Sequence, residues 1–126
     1  MRPGGDQVLR TLSAQLLVDV APHVAVPYGR ASAETMAVLL VQAAEEYDRA
    51  AEVRVEENRA MREIFRDAAA RVTDEGLRRR LEDAAAGTEA SLRVSALDEA
   101  NDRLRRLLIE LHAFVEERSE PWARCV

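Results

Sequence analysis

The sequence predicts an all-α protein, and three observations carry that prediction. Residues 31–72 contain neither glycine nor proline. Apolar side chains recur at three- and four-residue steps through most of the chain, which is the spacing of one helix face. Hydrophobic residues make up 48% of the chain but aromatics only 4%, so Ala, Leu and Val must fill the core. With abundant Glu and Arg they favour helix over sheet. The expected architecture is an antiparallel bundle of about four helices, 6–21, 31–72, 75–86 and 89–118, with a long central helix. The length of 126 residues suits one helical domain spanning 1–126.

Each helix has its own signals. Asp6 is placed to cap the first, and Val8, Leu9, Leu12, Leu16, Leu17 and Val20 form its apolar face until Pro22 ends it. Residues 23–29, with Pro27 and Gly29, read as a loop. Ser32 is a candidate cap for the second helix. Its stripe runs Met36, Leu40, Ala43, Tyr47, Ala50, weakens at Arg54 and Glu57, and resumes at Met61, Ile64, Phe65, Ala68 and Val72. Unbroken, some 40 residues would extend about 60 Å, against a radius of gyration of about 14 Å for a compact domain of this size. A bend near 53–57, or a protruding helix, follows. Thr73, Asp74, Glu75 and Gly76 supply a turn and an N-cap. Leu77, Leu81, Ala84 and Ala85 mark a short helix that Gly87 and Thr88 interrupt or kink. The last helix carries Leu92, Leu97, Ala100, Leu104, Leu107, Leu108, Leu111, Phe114 and Val115. Ser95 and Asp98 are spaced as a capping box, and Pro121 stops the helix.

A tight turn near residue 74 makes the flanking helices antiparallel, so that residues summing to about 147 face each other. Leu104 then lies opposite Ala43, and Leu111 opposite Met36. Helix 1 covers only the proximal half. The distal half becomes a two-helix hairpin bearing Met61, Ile64, Phe65, Leu77 and Leu81, which two helices alone cannot bury. Either these five residues form the seam of a homodimer, or the hairpin folds back at 53–57 onto its own body. The expected partner is a second copy of the chain.

Charge and composition remove several function classes. The formal net charge is −5, the wrong sign for a phosphate backbone, so no nucleic-acid partner is expected. Every basic residue is arginine. The clusters Arg78, Arg79, Arg80 and Arg103, Arg105, Arg106 alternate with Leu and acids, as solvated helix faces do. The lone Cys125 cannot close an internal disulfide. The first residues lack the pattern of a signal peptide, and the most apolar run, 36–41, is too short to cross a bilayer. A soluble cytoplasmic protein with no membrane partner is expected.

No constellation for catalysis stands out. Glu45, Glu46 and Asp48 form an acidic cluster, and Glu99 with Asp102 repeats the E-x-x-D spacing of Glu45 with Asp48. That spacing puts both carboxylates on one helix face, and all-α nucleotide pyrophosphatases bind Mg²⁺ through such pairs. In a chain with 23 acidic residues, however, such pairs arise by chance, and solvated carboxylates are the simpler reading. A di-iron site needs E-x-x-H on two helices; here only His112 and Glu116 share a face, while His23 sits in a loop. There is no G-x-S-x-G or phosphate-binding glycine loop. Tyr28, Arg30 and Tyr47 could line a small pocket or simply pack. No catalytic residue, metal or cofactor is therefore assigned.

Arg2 and Pro3 followed by an amphipathic helix, Tyr28 to Arg30 opening a long helix with Ala37, Leu40 and Glu45, and the segment Leu97 to Asn101 with Leu104 resemble a family of uncharacterised bacterial helical proteins. Members of that family are often encoded beside phosphotransferase-like and acyl-CoA dehydrogenase-like enzymes. The resemblance covers about two thirds of the chain and implies a small helical partner or accessory protein. The expected function is a self-associating interaction or accessory module, more a non-enzyme than an enzyme. The alternative is a Mg²⁺-dependent all-α nucleotide hydrolase using Glu45, Asp48, Glu99 and Asp102.

Overall fold

A computed structural model describes residues 3–118. Among them there is no strand, and four α-helices follow in order: α1 (Gly5–Gln15), α2 (Pro27–Ala69), α3 (Glu75–Ala86) and α4 (Val94–Arg118). The all-α bundle with a long central helix is therefore observed. The chain gathers into two compact units, Met1–Ala50 and Ala51–Val126, and α2 contributes to both. Its helical backbone continues through 53–57 without a break.

In the first unit, α1 runs on into one π turn (Leu16–Val20) and one 3₁₀ turn (Ala21–His23). The Ala21 N–H donates to the Leu16 carbonyl, so one extra residue is accommodated in the wider turn. Pro22 lies in the first positions of the 3₁₀ turn, where its missing N–H ends the α ladder. The loop expected over 23–29 is shorter than that. Pro27 opens α2, since the first helical position needs no N–H donor and favours the fixed φ of proline. Gly29 lies in the first turn because a Cβ there would come within 2.9 Å of Val24 Cγ1. Ser32, expected as a cap, lies inside the helix.

In the second unit, α2 ends at Ala69 and Asp74 caps α3, its carboxylate accepting from Leu77 N at 2.7 Å. Gly87 ends α3. Residues 87–93 are non-helical, so Gly87 and Thr88 begin a reversal where a kink within one returning helix was an option. This changes the expected register. Arg62 pairs with Glu89, and Arg66 donates to the Ala85 carbonyl, so α3 runs antiparallel to α2. Arg80 pairs with Glu110, while Gly87 and Thr88 share a cleft with Ala100 and Arg103, so α4 runs antiparallel to α3. It follows that α4 runs parallel to α2. Arg54 with Asp98, Asn58 with Asn101 and Thr73 with Arg118 are separated by 44, 43 and 45 residues. Partners thus keep a constant difference, and the constant sum of about 147 is corrected. Seven residues are ample to turn the chain between neighbouring helices.

The core of this up-down-up bundle lies among α2, α3 and α4. Phe65, Leu81, Leu97 and Leu111 are its largest fully buried apolar side chains. Met61, Val72, Leu77, Leu104, Leu107 and Val115 surround them, and Ile64 packs half-buried against the same cluster. The distal hairpin therefore acquires its third helix from its own chain.

Candidate interaction surface

The seam between α1 and α2 in the first unit is made of small residues. Ser13 is buried and donates from Oγ to the Ala37 carbonyl at 2.7 Å. Ala33, Ala37 and Ala44 are buried on the facing side of α2. Short side chains let the two backbones approach, but they cover little of what flanks them. One flank carries Arg10, whose guanidinium donates to Glu45 at 2.6 Å. That hydrogen bond holds the Glu45 carboxyl below the ordinary carboxylate range and raises Arg10.

The opposite flank is different. At 100° per residue, Val8, Leu9, Leu12 and Leu16 of α1 project to the side away from Arg10, as Met36, Leu40, Ala43 and Tyr47 of α2 project away from Glu45. A Cβ placed on Gly5 would lie 2.6 Å from the Tyr47 ring, which fixes Tyr47 on this shared side. No Asp, Glu or Arg occupies these positions. Val8 is 43% exposed, Leu12 44%, Met36 55%, Leu39 56% and Tyr47 66%. The expectation put the uncovered apolar surface on the distal half. It is found on the N-terminal hairpin, because α4 packs beside residues 54–73, from within α2 to just past its end.

The five residues expected at a dimer seam are inside the second unit. Met61, Phe65, Leu77 and Leu81 are buried in the chain's own core and Ile64 is half-buried against it. They share one cluster with Leu104, Leu107, Leu111 and Val115 of α4.

A polar layer crosses the second unit. Asn101 Nδ2 donates to Asn58 Oδ1 at 2.9 Å and to Glu57 Oε2 at 3.1 Å. Asn58 Nδ2 donates to Glu89 at 3.2 Å and to the Leu97 carbonyl at 3.4 Å. Glu89 also pairs with Arg62, and Arg105 reaches Glu57 at 3.3 Å. Both amides are buried, so their satisfied hydrogen bonds tie the α3–α4 loop and α4 to one register on α2. Sequence reasoning missed this layer. Its only signal was Arg54 and Glu57 interrupting the apolar stripe.

The carboxylates weighed as metal ligands belong to different compact units, Glu45 and Asp48 to the first and Glu99 and Asp102 to the second. Glu45 is occupied by Arg10 and is exposed, as are Asp48, Glu99 and Asp102. On α4 the neighbours Asp98 and Asn101 lie against Arg54, Glu57 and Asn58. Among the described residues, no three of His, Cys, Asp and Glu come together as a metal site. His112 Nδ1 lies 3.6 Å from Glu116 on an exposed face, and His23 Nδ1 sits 2.9 Å from the Asp19 carbonyl. Tyr28 is 84% exposed and Arg30 donates to the Val24 carbonyl at 3.3 Å, so these residues line no enclosed pocket with Tyr47. Asp98 pairs with Arg54 and Ser95 lies within α4, so the capping-box spacing caps no helix end. Cys125, Pro121 and Trp122 lie outside the described residues. No helix among the described residues is long and apolar enough to cross a membrane.

Comparison with protein-family models, curated proteins and solved structures finds no match.

Proposed function

We propose that the protein is a self-associating helical interaction module, and that the uncharged face of the N-terminal hairpin is the seam between two copies. The observation that carries this reading is the exposure of Val8, Leu12, Met36, Leu39 and Tyr47 on one hairpin. These five are 43–66% exposed, and the half-buried Leu9, Leu16 and Leu40 extend the patch. They adjoin on two neighbouring helices, and a contiguous apolar patch, unlike apolar residues scattered singly, marks an interaction site. A second copy fits because the face is built from two antiparallel helices. Related by a two-fold axis, two such layers close a four-helix bundle in which each row meets its own equivalent. The absence of charge matters here. A homodimer seam must tolerate like against like, and an acidic chain with a net charge of −5 would repel itself through charged rows. An accessory role, as the family resemblance implies, follows for a module whose most distinctive surface is one for binding.

Analytical ultracentrifugation at micromolar concentration tests this. The wild type should sediment at twice the 14.1 kDa chain mass. Leu12→Asp with Met36→Asp should sediment as a monomer with unchanged helical content. A monomeric wild type, or a dimer that survives both substitutions, would refute the reading.

A further inference from the structure

Between α3 and α4 lies a cleft of about 610 Å³ whose floor is apolar and whose walls are rich in arginine. Ala84, Leu104 and Leu107 form the floor, and Arg80, Arg103 and Arg106 line the wall. We propose that this cleft binds a small anionic amphiphile, its head held by Arg103 and Arg106 and its apolar body laid on Leu104 and Leu107.

Several features converge on that class of ligand. Arg103 and Arg106 stand one turn apart on α4, so both guanidinium groups can close on a single head group. Neither makes a hydrogen bond or ion pair among the described residues. Arg80 is engaged differently. It donates to Glu110 at 2.7 Å, which lowers the Glu110 carboxyl and fixes the Arg80 head at the cleft wall. With Arg80 balanced by Glu110 and Arg62 by Glu89, Arg103 and Arg106 face one remaining carboxylate, Asp83. The cleft is thus locally positive in a chain that is acidic as a whole. Gly87 also lines the cleft, and a Cβ there would lie 3.3 Å from the Ala84 carbonyl and 3.5 Å from Arg62 Nε. The volume is in the range of small-molecule sites, which pair a largely apolar lining with a few placed polar groups. Guanidinium forks suit the planar or tetrahedral oxygens of carboxylate and phosphate. The shared chemistry is therefore an oxyanion head on a compact apolar body. No bond is made or broken, so the site is for binding, and its residues are separate from those of the self-association seam.

The test is isothermal titration calorimetry on the full chain with 1-naphthyl phosphate, 1-naphthoate and uncharged 1-naphthol. Saturable binding of either anion, at least about tenfold tighter than naphthol, is expected. The two anions separate a phosphate from a carboxylate preference. Arg103→Gln with Arg106→Gln removes two exposed charges and should weaken anion binding at least about tenfold, with unchanged thermal unfolding. Leu12→Asp with Met36→Asp, on the other unit, should leave it unchanged. Binding that does not saturate at millimolar ligand would overturn the proposal. Equal affinity for naphthol, or loss in the Leu12 and Met36 variant in place of the arginine variant, would do the same, since the probe would then be reporting the apolar hairpin face.

Discussion

Replacing the two buried asparagines one at a time and then together tests the parallel packing of α4 on α2. Asn58→Leu removes the acceptor of Asn101 Nδ2 and the donor that reaches Glu89 and the Leu97 carbonyl. Glu89 keeps Arg62 and Asn101 keeps Glu57, so one buried donor and one carbonyl each lose a partner. That should cost about 2–3 kcal/mol. Asn101→Leu strands Asn58 Oδ1, while Glu57 retains Arg105, which should cost about 1–3 kcal/mol. The double variant leaves neither amide behind and places two apolar groups in contact. Its loss should fall short of the sum of the singles by about 1–2 kcal/mol. Urea unfolding followed by circular dichroism reads this, at one fixed protein concentration because association would shift the midpoint. Had α4 returned antiparallel from residue 74, Asn58 and Asn101 would lie far apart. Single losses that add to within about 0.5 kcal/mol would therefore refute the parallel register.

Phe65→Ala, at a fully buried position, should cost about 3–5 kcal/mol in urea unfolding, with wild-type mass in sedimentation under native conditions. Asp74→Ala removes the carboxylate that accepts from Leu77 N and should cost about 1 kcal/mol, visible as a lower thermal midpoint. Arg10→Gln should return the Glu45 carboxyl upward to the ordinary range, read by NMR titration of its side-chain carbon. The sign follows from linkage. The Glu45 pKa is lower folded than unfolded, so its stabilising contribution is present above the unfolded value and is lost as pH falls through the folded one. The variant should lose that acid-side dependence.

The helices were legible because periodicity and punctuation agree over most of the chain. Residues 73–76 carry a breaker, a cap and a glycine together, and α3 starts there. Pro27 and Gly29 misled because the residues that punctuate loops are also the ones a first helical turn tolerates. The direction of α4 was not legible. After Gly87 and Thr88 come Glu89, Ala90, Leu92 and Arg93, all of which suit a helix, so composition does not separate a kink from a reversal. That one ambiguity misplaced the cover of the core. As part of a long return, α4 would shelter the N-terminal hairpin and leave Phe65 and Leu81 bare. With α4 parallel to α2, Phe65 and Leu81 are buried and Leu12 and Met36 are not. The polar layer was hidden for a related reason. Arg54 and Glu57 at core spacing look like a defect in an apolar stripe until Asp98, Asn101 and Arg105 are placed against them.

Two copies are proposed to meet through the N-terminal hairpin. Isotope-filtered NMR on a mixture of differently labelled protomers tests it most directly, because only contacts between copies give signal. Intermolecular cross-peaks are expected from the methyl groups of Leu12 and Met36 and the ring of Tyr47, and none from Met61, Leu77 or Leu81. Cross-peaks from Met61, Leu77 and Leu81 alone would contradict it.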